Sequence, residues 1–67
     1  MIKARYLGVD SQLLRHGRVY PIKTYCVLWE GKPRLRVSFG DNLRYWVHYR
    51  SLEDFLKSWK VEAVYHG

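Results

Sequence analysis

Polar, mostly basic or aromatic side chains alternate with apolar residues in two runs, 34–39 and 43–50, which Gly40-Asp41-Asn42 separates. The apolar members are Leu35, Val37, Phe39, Leu43, Tyr45, Val47 and Tyr49. The alternate positions carry Arg34, Arg36, Arg44, Trp46, His48 and Arg50. A period of two is typical of half-buried strands, so we predict two strands that place the basic and aromatic set on one face. Arginine contacts phosphate groups and an exposed indole stacks on a base, so these residue types are suited to binding nucleic acid.

The environment of Trp46 distinguishes a binding face from a packed face or a solvated one. A tryptophan at a polar position of a strand exposes apolar surface to water and is typical of binding sites. One alternative is that Trp46 packs with Leu28 and Trp59 in a second small core, because a short chain uses most of its aromatic residues for packing. Another is that the arginines form a solvated sheet exterior. The sequence leaves these interpretations open.

The segment 9–17 is predicted to be an ordered loop with Leu13 and Leu14 turned inward. Long loops on small domains often carry recognition, and Arg15 with the following Arg18 would extend the basic surface. The alternative is a solvated connection between two strands.

No arrangement of residues predicts catalysis or metal binding. Cys26 has no evident histidine partner that would activate a thiol, so we expect it to be a packing residue. Glu53 and Asp54 are neighbours in a predicted helix and diverge by about 100 degrees, which does not suit paired acid-base chemistry. His16, His48 and His66 form no recognisable metal-ligand spacing with the cysteine. We therefore expect a non-enzymatic protein with no cofactor, no metal and no small-molecule substrate.

Size and charge narrow the class of protein. The 67 residues form one domain, and a single cysteine excludes an internal disulfide. Twelve Lys and Arg against six Asp and Glu give a formal net charge of +6, which favours polyanionic partners such as nucleic acid or an acidic protein surface. No segment approaches the roughly 20 apolar residues of a membrane span, and no secretion signal is evident. We expect a soluble cytoplasmic protein that does not bind membranes.

The remaining strands follow from further alternation. Strands are predicted at 2–7, at 18–22 with Pro21 marking an edge or bulge, and at 23–30. A three-residue turn at 31–33 would place Tyr25, Val27 and Trp29 inside, with Val27 opposite Val37. A three-residue turn at 40–42 would pair Phe39 with Leu43.

A change of period marks a helix near the end of the chain. Leu52, Phe55, Leu56 and Trp59 have the spacing of one helical face, and Ser51 is a favourable N-cap. We predict a helix at 52–59 and a last strand beyond it that pairs with the first. The predicted fold is mainly β: a small SH3-like barrel, or a strongly bent antiparallel sheet of about five strands, with one short C-terminal helix.

Three segments carry a resemblance to a known group of proteins. They have the sequences KARYLG (3–8), GRVY (17–20) and YRSLEDFLKSW (49–59). They resemble very small, mostly hypothetical proteins encoded by phages and prophages of Gram-positive bacteria. The resemblance implies an SH3-like fold and a short accessory gene, expressed inside a bacterial host, whose product binds rather than catalyses.

The function expected from these observations is a small basic module that binds nucleic acid through its Arg/Trp-rich face. The alternative is a phage accessory factor that docks the same face on an acidic host protein, because Arg and Trp are also enriched at protein hot spots. A third possibility is a structural component that associates through exposed edge strands. We expect a monomer or a weak homodimer.

Overall fold

The computed structural model describes residues 1–65, and His66 lies outside the described residues. The elements are β1 (Ile2–Tyr6), β2 (Val19–Trp29), β3 (Lys32–Phe39), a 3-10 turn (Asp41–Leu43), β4 (Tyr45–Tyr49), α1 (Leu52–Ser58) and β5 (Trp59–Val64). All strand pairs are antiparallel, in the order β4-β3-β2-β1-β5. The sheet does not close, so the fold is the predicted bent sheet and not the predicted barrel. Among residues 1–65, no helix is long and apolar enough to cross a membrane.

Strand β2 joins the two halves of the sheet. Its residues 19–22 pair with β1 and its residues 23–29 pair with β3 on the other side. At Pro21, β2 pairs with β1 only, and its pairing with β3 begins at Lys23. The N–H that proline lacks therefore removes no hydrogen bond between β2 and β3. The predicted pairing of β5 with β1 is confirmed.

The register of β2 against β3 differs from the predicted one. Glu30 and Gly31 form a two-residue turn in which both have positive φ, 51° and 77°, as a tight hairpin turn requires. The predicted three-residue turn is wrong, and Val37 lies opposite Thr24 and not opposite Val27. The reason is that β2 is one continuous strand. Because Ile22 is buried, alternation from that residue turns Tyr25, Val27 and Trp29 to the opposite face.

The second hairpin keeps its predicted faces with a longer connection. Phe39 pairs with Tyr45 and not with Leu43, which lies in the 3-10 turn. Gly40 has a φ of 83°, and an added Cβ would lie 2.5 Å from the Tyr45 ring, so a side chain there meets both strain and a steric clash. Because the shift is an even number of residues, Val37 and Val47 still share one face.

The core lies on one face of the sheet, beneath α1 and the 9–17 loop. Its buried members are Ala4, Leu14, Ile22, Val37, Phe39, Phe55 and Trp59. Trp59 is fully buried, and its indole Nε1 donates a hydrogen bond of 2.8 Å to the Tyr49 hydroxyl. Of the predicted leucine pair in the loop, Leu14 is buried and Leu13 is half exposed. We call this side of the sheet the core face.

Helix α1 is one residue shorter than predicted. The Ser51 Oγ accepts a hydrogen bond from the Asp54 backbone N–H, which confirms the predicted N-cap. Phe55 is buried, whereas Leu52 and Leu56 remain largely exposed. The predicted apolar stripe is therefore only half covered, and Trp59 begins β5 instead of ending the helix.

Candidate nucleic-acid interface

The strand register gathers cationic and aromatic side chains on the face opposite the core. Residues directly opposed across a sheet share a face, and alternate residues along each strand repeat it. The cross-strand rows on this side are Lys23–Ser38–Trp46, Tyr25–Arg36–His48, Val27–Arg34 and Trp29–Lys32. We call the surface formed by these rows the basic face.

Three rings meet on the basic face, and we call Trp29, Trp46 and His48 the ring cluster. The centroids of Trp46 and His48 lie 4.5 Å apart in a stacked arrangement. The Trp29 ring reaches across β3 to 5.5 Å from Trp46 and 5.0 Å from His48. Trp46 is 46% exposed and Trp29 is 43% exposed. Two half-exposed indoles side by side present aromatic surface to solvent, which is typical of a binding site.

Arg36 is held over the ring cluster. Its Cζ lies 4.6 Å from the Trp46 ring centroid, a cation–π contact, and its Nε donates a 3.0 Å hydrogen bond to His48 Nε2. Only an unprotonated Nε2 can accept that bond. Partial burial lowers the pKa of His48 below its ordinary value of 6.5, and the positive charges of Arg36 and then Arg34 lower it further. Neutral His48 therefore orients the Arg36 guanidinium.

The described contacts of Trp46 lie on one side of its ring. The centroids of Trp46, His48 and Trp29 form a nearly equilateral triangle, with sides of 4.5, 5.0 and 5.5 Å, so Trp29 cannot lie across Trp46 from His48. Arg36 is bonded to His48 and is thus on the same side. No aromatic or cationic contact from residues 1–65 is described on the other side of this indole, in keeping with its exposure.

No salt bridge neutralises the positive charge of the basic face within the described part of the chain. Four cations, Lys23, Lys32, Arg34 and Arg36, lie on it, and none forms a salt bridge with a carboxylate among residues 1–65. The two ion pairs described there are Arg5–Glu62, between β1 and β5, and Asp54–Lys57, within α1. The Glu62 carboxylate accepts a hydrogen bond from Arg5, which lowers the pKa of Glu62. A face with several unpaired cations favours an anionic partner.

The other predicted arginines lie outside the ring cluster. Arg44 and Arg50 flank β4 at its two ends, and the Arg44 guanidinium lies over the Tyr45 ring at 5.6 Å. Arg15 and Arg18 belong to the connection before β2, beyond the end of that strand farthest from Trp29. The structure therefore places Arg34, Arg36, Trp46 and His48 from the predicted set together on the basic face and leaves Arg15, Arg18, Arg44 and Arg50 outside the ring cluster.

Trp29 is the residue that the sequence interpretation missed. A strand at 23–30 that is separate from 18–22 assigns Trp29 to the interior. A continuous count from Ile22 would have placed it beside the arginines. The alternative small core is also wrong, because Trp59 is buried on the core face and Leu28 is 77% exposed.

The surroundings of the ring cluster suit surface binding. Residues 1–65 enclose no pocket, and no three potential metal ligands gather among them. Cys26 is not the packing residue we expected: its thiol is free and exposed, in the row with Leu35 on the core face. A partner of the basic face must therefore be held on an open surface.

Comparison of the chain with protein-family models, curated proteins and solved structures found no match.

Proposed function

We propose that this protein binds nucleic acid through the basic face. The observation that carries the proposal is the ring cluster, in which two half-exposed indoles lie beside an oriented arginine. The cations around it form no described salt bridge among residues 1–65. Cations on a surface attract phosphates, and aromatic rings hold bases by stacking. The protein acts as a binding module and catalyses no reaction. The proposed location of the protein is the cytoplasm of a bacterial host, as the resemblance to phage and prophage proteins implies.

The test is a titration with labelled oligonucleotides, both single-stranded and double-stranded, followed by anisotropy at about 50 and 200 mM salt. Binding that is micromolar or tighter at the lower salt concentration, and that weakens at the higher one, is the expected result. Absence of binding to either form at low salt would contradict the proposal.

An acidic host protein is the second candidate partner. The half-exposed Trp29 and Trp46 beside Arg36 favour it, because Trp and Arg are enriched at protein hot spots. A protein-binding module would ignore generic oligonucleotides and retain one partner from host lysate, and Trp46→Ala would abolish that capture. Capture unaffected by Trp46→Ala would contradict docking through this face.

A further inference from the structure

We infer that the basic face binds single-stranded nucleic acid, with an unpaired base stacked on the free side of the Trp46 indole. This inference rests on the proposed function and names the form of nucleic acid that the ring cluster accepts.

The first step is the availability of the Trp46 ring. His48, Arg36 and Trp29 cluster on one side of it, and the ring is 46% exposed. A base can therefore stack on the other side without displacing any of them. The Arg36 guanidinium stays in position across the indole from that base, and its described hydrogen bond to His48 uses only Nε and leaves the terminal amino groups for a phosphate.

The second step is that a duplex cannot use this site. In a duplex the base faces are stacked on one another, and a protein reaches only the base edges and the phosphates. The major groove admits an α-helix or a two-stranded β-ribbon, but either element reads base edges and leaves the base faces stacked within the duplex. The helix α1 packs Phe55 into the core on the opposite face of the sheet. The rings instead stand on the broad side of the sheet, where they gain stacking energy only from unpaired bases.

The third step is the line of charge beside the rings. Lys32, Arg34 and Arg36 occupy alternate positions of β3, so they recur about every 6.6 Å along the strand. An unpaired strand laid along β3 is flexible enough to bring successive phosphates to successive cations, and this line of charge adds affinity for the same strand whose base stacks on Trp46.

The experiment compares one mixed-sequence DNA of about 16 nucleotides as a labelled single strand and as a blunt duplex, by anisotropy at about 50 mM salt. The proteins are the wild-type chain, Trp46→Leu and Trp46→Phe, each checked for folding by circular dichroism. We expect the single strand to bind at least about tenfold more tightly than the duplex. Trp46→Leu should weaken single-strand binding by about five- to 150-fold and leave duplex binding unchanged. Trp46→Phe keeps a ring and should retain most of the affinity.

Two results separate failure of the inference from failure of the proposed function. Equal affinity for the two forms, or equal weakening of both by Trp46→Leu, would overturn the single-strand inference and leave nucleic-acid binding intact. Absence of binding to both forms by the wild-type chain would overturn the proposed function and the inference together.

Discussion

Removing two cations from β3 is expected to flatten the salt dependence of nucleic-acid binding. Lys32 and Arg34 suit this change because, within residues 1–65, neither has a described hydrogen bond or cation–π contact to the ring cluster, and the one hydrogen bond described for Arg34 goes to the Pro33 carbonyl. Replacing both with Ala should leave Trp46 and Arg36 in place. The variant therefore tests charge separately from stacking.

The size of the effect follows from the number of cations on the basic face. Four cations that each meet one phosphate of a single strand give a slope of log K against log salt of about −2.8. Affinity would then fall by about 50-fold between 50 and 200 mM salt. With two cations removed, the expected slope is about −1.4 and the fall about sevenfold over the same range.

The assay is the anisotropy titration at four or more salt concentrations, with Lys57→Ala/Lys60→Ala as the matched control. That control removes the same charge from α1 and from β5, the edge strand farthest from β4. Its slope should stay near the wild-type value. A Lys32→Ala/Arg34→Ala slope equal to that of the wild-type chain, or an equal flattening in the control, would refute the assignment of phosphate contacts to β3.

Three further predictions concern stability. The folded-state pKa of His48 lies below its unfolded value, so the unfolded chain binds the proton more tightly and the free energy of unfolding should fall as pH drops below about 6.5. His48→Gln should lessen this fall in denaturant titrations at pH 7.5 and 5.5, and an unchanged pH dependence would contradict the assignment. Tyr49→Phe removes the acceptor of the buried Trp59 N–H and should lower the free energy of unfolding by about 1–3 kcal/mol, whereas a neutral result would show that this bond contributes nothing. Glu30→Asn should stabilise the chain by about 0.5 kcal/mol, because Asn tolerates positive φ before Gly31 better than Glu does; a lower melting temperature would argue against the two-residue turn.

Local patterns were sufficient to predict much of the fold. The alternation around Val37 and Val47 identifies the strands and faces of the β3–β4 hairpin. An error of two residues in the turn leaves the predicted faces unchanged, because the faces repeat every two residues. The N-cap at Ser51 located the start of α1. Pairing of the last strand with the first was also predicted.

The parts that could not be predicted depend on the continuity of β2. Pro21 is typical of an edge or a bulge, so the sequence indicates separate strands at 18–22 and 23–30, and the face of the second is then a choice made from its own apolar residues. Burial of Ile22 overrides that choice, because turning Trp29 inward would turn Ile22 outward. Two residues are affected: Trp29, which lies in the ring cluster, and Leu28, which is exposed on the core face.

The chain offers three indole N–H groups as reporters of where a ligand binds. Trp29 and Trp46 lie in the ring cluster, while Trp59 is fully buried on the core face and bonded to Tyr49. The most direct test of the account is therefore an NMR titration of the ¹⁵N-labelled protein with a single-stranded oligonucleotide. We expect the indole N–H signals of Trp29 and Trp46 to shift and that of Trp59 to stay in place. Signals of Trp29 and Trp46 that do not move, or shifts confined to the connection containing Arg15 and Arg18, would contradict binding through the basic face.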